Sequence, residues 1–184
     1  MKFFYQLLLI LAISISGIAW SEQNFDEAEK LWKNNKHVES MELYQKALDS
    51  GKLSKKQVVR AHYNRGFAIF KLMSEVDGAI KELDEVLKLE PDNADAYCLR
   101  ADALSIIQKY KKAVPDWKMS LEINPDDPIT YLNRSYYFEE NGQIDRALED
   151  LENYIELFDE YTPVDMRRLE ILKDMQSKGM KKRY

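Results

Sequence analysis

The stretch Tyr131–Phe138 reads YLNRSYYF, one arginine among four aromatic rings with an asparagine and a serine beside it. Those residue types, set together, can stack on a base or grip an acidic ligand, because a guanidinium forks onto carboxylates and lies over aromatic faces. Catalysis has less to draw on. His37 and His62 are the only histidines, and neither has a ligand-type residue four positions on. There is no G-x-S-x-G, no phosphate-binding glycine loop and no H-E-x-x-H. The acidic neighbours Asp126/Asp127 and Glu139/Glu140 fall at expected helix ends, a weak basis for general acid–base work. Cys98 stands alone, which excludes an intramolecular disulfide framework and a cysteine-based metal site. No catalytic residue, metal ligand or cofactor is expected.

The elements that position YLNRSYYF come from an internal repeat. Ala79, Ala113 and Ala147 recur at one constant interval, and Pro91 and Pro125 repeat it. The same interval holds for Ile80/Val114/Leu148, Leu83/Trp117/Leu151, Leu87/Leu121/Ile155 and Leu89/Ile123/Leu157. Apolar residues at this helical spacing make one buried stripe on the second helix of each unit. The first helix carries an aromatic or histidine, then arginine, then a small residue: His62/Arg65/Gly66, Tyr97/Arg100/Ala101 and Tyr131/Arg134/Ser135. At Gly66, Ala101 and Ser135 the first helix must approach the second near Ala79, Ala113 and Ala147, and a bulky side chain there would force the pair apart.

The stretch from Arg65 to Ala79 is one position longer than its counterparts, Arg100 to Ala113 and Arg134 to Ala147. One extra residue is therefore expected in or near 71–78, in a turn. Glu82, Asp116 and Asp150 follow Arg65, Arg100 and Arg134 at a near-constant separation, again one longer in the first unit. Antiparallel helices can then pair each arginine with an acid. Asp127-Pro128 and Thr162-Pro163-Val164-Asp165 read as helix starts with an N-cap and a first-turn proline. The second opens a final helix whose Val164, Leu169, Ile171, Leu172 and Met175 make one apolar side able to cap the stack. Pro115 lies inside an expected helix, so a start near Lys111 or a slight kink is anticipated.

The pattern resembles the tetratricopeptide repeat family, a helix-turn-helix unit of about 34 residues. An aromatic residue, a small residue four later, alanine twelve further on and proline twelve beyond that carry the match. YNRG (63–66) and LNRS (132–135) look like a common subtype of that unit. The resemblance covers 59–160 as three repeats, 59–93, 94–127 and 128–160. A divergent repeat at 24–51 keeps Ala28 and Ser40 but ends on Gly51, and the last unit has Asp159 in place of proline. The resemblance implies an all-α, right-handed superhelix of antiparallel helix pairs, with the first helices lining a concave groove that takes a peptide segment of a partner protein. Carried onto this chain, the groove positions are Arg60, Tyr63, Asn64 and Phe67, then Asp95, Cys98, Leu99 and Asp102, then Ile129, Leu132, Asn133 and Tyr136. Some members grip a C-terminal carboxylate with paired lysine and asparagine. The lysines are missing here, so the resemblance does not carry that ligand over.

The N-terminus stands apart from the repeats. MKFFYQLLLILAISISGIAWS has one lysine, an apolar run and then Ala19 and Ser21 flanking Trp20, a small-x-small pattern. It is read as a signal peptide (1–21) cleaved before Glu22, with an uncleaved anchor as the alternative. That places the repeat domain (22–160), the capping helix (161–178) and a basic tail (179–184) outside the cytoplasm, periplasmic or secreted. With 27 basic against 32 acidic residues the chain lacks the charge of a polyanion binder, so nucleic acid is not an expected partner. The expected function is a non-enzymatic adaptor. An assembly subunit of an envelope complex, working through its outer face or last helix, and a chaperone-like accessory of an exported enzyme stay open.

Overall fold

The computed structural model describes residues 2–73, 75–158 and 161–179, with the backbone alone for 2–16 and Met73. Among these residues the elements are α1 (Lys2–Lys33), α2 (His37–Asp49), α3 (Lys55–Ala68), a π turn (Ile69–Met73), α4 (Val76–Leu89), α5 (Ala94–Ile106), α6 (Tyr110–Ile123), α7 (Pro128–Glu140), α8 (Ile144–Leu157) and α9 (Pro163–Ser177). The fold is an all-α array of antiparallel helix pairs. Two compact units are formed, Met1–Pro91 and Asp92–Tyr184. In the first, α1 packs on α2 and α3 on α4; in the second, α5 packs on α6, α7 on α8, and α9 on α8.

Local chemistry starts these helices where the sequence places its caps. Ser54 and Gln57 form a reciprocal capping box at α3, and Thr162 and Asp165 form another at α9, each supplying acceptors for two backbone N–H groups at the helix start. Asn93 accepts from the Ala96 amide at the head of α5, and Asp127 accepts from Ile129 ahead of Pro128 at α7.

The turn inside each pair is a second device. Asn35, Gln108 and Gly142 all have positive φ, at 58°, 57° and 68°. The next amide in each case reaches back five positions, Lys36 to Leu31 (2.9 Å), Lys109 to Leu104 (2.9 Å) and Gln143 to Phe138 (2.8 Å). This left-handed cap satisfies carbonyls that the helix end would leave open. The pair α3/α4 instead passes through the π turn Ile69–Met73, whose wider winding takes up the extra residue of that repeat. It begins two positions ahead of the 71–78 window, because the helix absorbs the insertion before the connecting turn is reached.

Small residues set the spacing of the pairs. Ala28, Ser40, Ala79, Ala101, Ala113, Ser135 and Ala147 are completely buried. A Cβ added at Gly66 would sit 3.2 Å from Leu83 Cγ and 3.3 Å from Glu82 Cβ, so α3 and α4 are already in contact there. Around these crossings lie two apolar clusters, one on Phe25, Ala28, Tyr44, Ala47 and Ala61, the other on Phe138, Ile144, Leu148, Leu151, Tyr154 and Leu172. Pro115 is the sixth residue of α6, one position further in than a start near Lys111 would give, and both it and Lys111 are exposed. At that position the ring removes the amide that would have bonded the Lys111 carbonyl.

One expected side of α9 divides. Leu172 is fully buried and Leu169 and Met175 pack on the second cluster, but Val164 is 70% and Ile171 48% exposed. Each lies one position, about 100°, round the helix from buried Asp165 and Leu172, which turns it off the contact stripe. α1 runs unbroken through the expected processing point before Glu22; Ser21 is buried, with its hydroxyl 3.4 Å from the Ala47 carbonyl and 2.7 Å from Ser50 Oγ. Asp159 and tail residues 180–184 lie outside the described residues.

The equivalence of Gln108 and Gly142 gives a direct test. Gln108→Gly removes the Cβ cost of the left-handed conformation and raises stability by about 1 kcal/mol in urea denaturation, while Gly142→Ala lowers it by about as much.

Candidate peptide-binding face

Each repeat holds its arginine in a fixed setting. Arg100 Nε and Nη2 donate to the two oxygens of Asp116 at 2.7 and 2.8 Å, and Arg134 does the same to Asp150 at 2.8 and 2.7 Å. Rings cover both guanidinium groups, Tyr97 for Arg100 (5.5 Å), Tyr131 and Phe138 for Arg134 (5.8 and 5.7 Å). In the α3/α4 pair Arg65 Nη2 lies 2.9 Å from Glu82 Oε1, and His62 fills the aromatic position and meets the other Glu82 oxygen through Nδ1 at 2.7 Å. Arg65 also reaches Gln45 Oε1. These arginines lie between the helices of a pair, away from the first-helix face.

That face is built differently in the two units. In Met1–Pro91 the hub is Glu29, whose Oε1 accepts from Tyr44 Oη (2.6 Å) and Arg60 Nε (2.8 Å), with Asn64 Nδ2 at 3.4 Å. Asn64 is buried and also donates to Tyr44 Oη at 2.7 Å. Burial, and then the Glu29 carboxylate, push the Tyr44 hydroxyl well above its ordinary range, so it stays a donor. Phe67 packs edge-on to Trp32 and His37, at 5.7 and 6.2 Å, and Tyr63 is half-buried. Arg60 and Asn64 are thus engaged within the unit, and Phe67 belongs to an aromatic cluster.

In Asp92–Tyr184 the face is carried by α5 and α7. Asp102 ties three helices: its oxygens accept from Trp117 Nε1 on α6 (2.9 Å) and Asn133 Nδ2 on α7 (2.8 Å). Cys98 and Leu99 are buried beneath it, and burial, followed by nearby Asp102, raises the Cys98 thiol far enough to keep it protonated. Asp95 is exposed at the head of the same stripe, and Ile106, one turn past Asp102, is 62% exposed. On α7, Ile129 (47%) and Tyr136 (45%) are exposed while Leu132 packs partly into the core. Positions 129, 133 and 136 are spaced i, i+4, i+7, one helix face.

A residue outside the sequence-derived set completes this face. Arg168 of α9 lies with its guanidinium 3.7 Å from the Tyr136 ring centre and its Nε 2.7 Å from Glu139 Oε2. Its signal was the repeat itself, since Arg168 follows Arg134 at the same interval that separates Arg134 from Arg100. Among the described residues no second helix follows α9 to supply the acid, so the side chain turns back to α7. No group of three or more His, Cys, Asp or Glu among the described residues is placed to hold a metal ion, and none of their helices is long and apolar enough to cross a membrane.

Comparison with known proteins meets this geometry at two levels. Family models described as tetratricopeptide repeat match residues 73–128 and 117–149. The Hsp70-Hsp90 organizing protein 1 of Glycine max is 30% identical over 129 residues, which cover 70% of this chain and 20% of that protein. The chain thus spans about a fifth of that curated relative. A solved structure of MamA, residue 41 to the end, from Desulfovibrio magneticus RS-1, has a TM-score of 0.71 at 16% identity, with 86% of each chain covered. The first TPR domain of Spaghetti (RPAP3), bound to the HSP90 peptide SRMEEVD, has a TM-score of 0.60 at 20% identity, covering 66% of this chain and 94% of that one. At these identities the two structures speak for the fold.

A double-mutant cycle on Arg134 and Asp150 measures the inter-helix pair. Asp150 is 2% exposed, so Arg134→Met alone leaves a buried carboxylate without its cation and costs about 3–5 kcal/mol. Adding Asp150→Leu recovers part of that, with a coupling energy of about 1–3 kcal/mol by denaturation; additive losses would deny the pair its role.

Proposed function

We propose that this chain, which carries tetratricopeptide repeats over residues 73–149, is a non-enzymatic adaptor that holds a peptide segment of a partner protein. The observation that carries the reading is the α7 face, where Ile129 and Tyr136 stand exposed on a surface stiffened by the Asp102–Asn133 and Asp102–Trp117 hydrogen bonds. Half-exposed apolar and aromatic side chains on a pre-set backbone give a partner contact area at small ordering cost, the condition for a hot spot. Support also comes from the kinds of protein the chain is similar to, an organizing protein by name and a repeat domain solved with a bound peptide. The site is assigned to α5 and α7, because Arg60 and Asn64 of α3 are tied to Glu29 and Phe67 is packed on Trp32.

A specific observation favours a second reading. Val164 and Ile171 leave an apolar edge on the outer side of α9, which suits a subunit of a larger assembly. Capture of the partner from the native envelope fraction separates the two. The double variant Ile129→Ser, Tyr136→Ala, with an unchanged melting curve, should retain less than a tenth of the partner. Full retention, with loss on Val164→Ser, Ile171→Ser, would give the role to the outer edge.

The reading places the protein outside the cytoplasm, on the strength of the apolar leader and its small-x-small end. Removal of the leader through Ser21 gives up that residue's 3.4 Å bond to the Ala47 carbonyl and its 2.7 Å bond from Ser50 Oγ, while the Ala47 carbonyl keeps its 2.6 Å bond from Ser50 Oγ. Mass spectrometry of the mature chain should find Glu22 first, and an intact N-terminus would mean that the segment remains as an anchor.

A further inference from the structure

Arg168 stands apart from Arg100 and Arg134 of its column. Its side chain is 10% exposed, and its Nη1 and Nη2 are buried without a hydrogen-bond partner, although its Nε is held by Glu139. Arg100 and Arg134 each spend a terminal nitrogen on an aspartate, as the forked guanidinium requires when it leaves water. A buried cation with two unmet donors is costly, and such a group calls for an explanation. Asp165, one turn earlier on α9, accepts from the amide and hydroxyl of Thr162 through Oδ2. The cover over the two free nitrogens is the Tyr136 ring, itself 45% exposed and on the α7 face that also shows Ile129.

We infer that Arg168 is a binding residue for a carboxylate of the bound peptide, with Tyr136 as the movable cover; this rests on the peptide-binding reading of the α5/α7 face. The carboxylate accepts one N–H from Nη1 and one from Nη2 in the planar two-point geometry that arginine favours. Glu139 keeps Nε and holds the guanidinium in plane, so the site is oriented before the ligand arrives. The displaced Tyr136 ring is then free to lie against the apolar part of the same peptide. The cation comes from the capping helix, which is why the missing groove lysines do not exclude this ligand class. A chain-terminal carboxylate and a Glu or Asp side chain present the same two oxygens, and the probes must tell them apart.

The test uses the full chain and three acetylated pentapeptides of glycine and leucine. One has a free C-terminal carboxylate, one is amidated with a central glutamate, and one is amidated and neutral. NMR follows the Arg168 Nε–H and Cζ signals and the Tyr136 ring protons. At least one carboxylate peptide should shift these signals saturably where the neutral one does not, and the peptide that does so identifies the source. Arg168→Lys keeps the charge and loses the fork, and should weaken that binding about tenfold. Arg168→Gln should erase the difference between charged and neutral peptides; if it melts early, Arg168→Lys alone carries the comparison. The inference is overturned if all three peptides act alike, if neither carboxylate peptide moves the Arg168 signals, or if the variants discriminate as well as the native chain. Binding at Ile129 and Tyr136 without any preference for a carboxylate overturns this inference and leaves the adaptor reading in place. Partner capture that survives the Ile129/Tyr136 variant removes both.

Discussion

The approach distance of the two helices in each pair governs everything built on them. Where Gly66, Ala101 and Ser135 meet the following helix, no side chain is larger than a hydroxymethyl group, and completely buried Ala79, Ala113 and Ala147 keep the facing helix equally slim. Interiors are packed too densely to hide an extra methylene at such a crossing. The spacing it enforces is what lets an arginine on one helix lay both nitrogens on an aspartate of the next, at 2.7–2.8 Å, without stretching. Widen the crossing and the fork loses its partner, leaving a carboxylate such as Asp150 buried and uncompensated.

On that frame the polar side chains act as struts. Glu29 gathers Tyr44, Arg60 and Asn64 in the first unit, and Asp102 joins α5, α6 and α7 in the second. Asp102 sits at a groove position, where it looks like a ligand contact, but the hydrogen bonds of both acids point into the protein. Satisfied networks of this kind hold a surface in one arrangement. A peptide meeting such a surface loses its own freedom and demands little from the protein, so the exposed residues between the struts dominate the contact. Arg168 is the exception, a guanidinium half satisfied and half covered, and its place beside Tyr136 makes the end of α7 chemically distinct from the rest of the face.

How much of this can be read from residue order varies with the range of the interaction. The helix pairs, their caps at Asp127 and Thr162 and the arginine–acid spacing follow from patterns within a single repeat, the length over which such a unit specifies its own packing. The left-handed turns are harder. Gly142 announces itself, whereas Asn35 and Gln108 adopt the same left-handed conformation without a glycine to mark it. The insertion in the α3/α4 repeat was visible as one extra position between Arg65 and Ala79, but its absorption into the π turn Ile69–Met73 depends on where the helix can widen against its neighbours. Phe67 reads as a groove aromatic until Trp32 and His37, from the preceding helix pair, are seen to enclose it.

Residue order alone determined the all-α class, the repeat length, the small-residue crossings and the lack of any motif for catalysis, because each is a local periodicity or the presence of a residue type. Tertiary structure decided which groove positions are free. It buried Asn64, Cys98 and Leu99, bound Asp102 to two neighbouring helices, left Ile129 and Tyr136 to solvent, and split the apolar side of α9. It also brought Arg168 to Tyr136, across the whole of α8, where no second helix among the described residues supplies the acid that its position in the repeat calls for. Exposure and hydrogen-bond satisfaction are sums over neighbours from several helices, and a periodicity along one chain cannot evaluate such a sum.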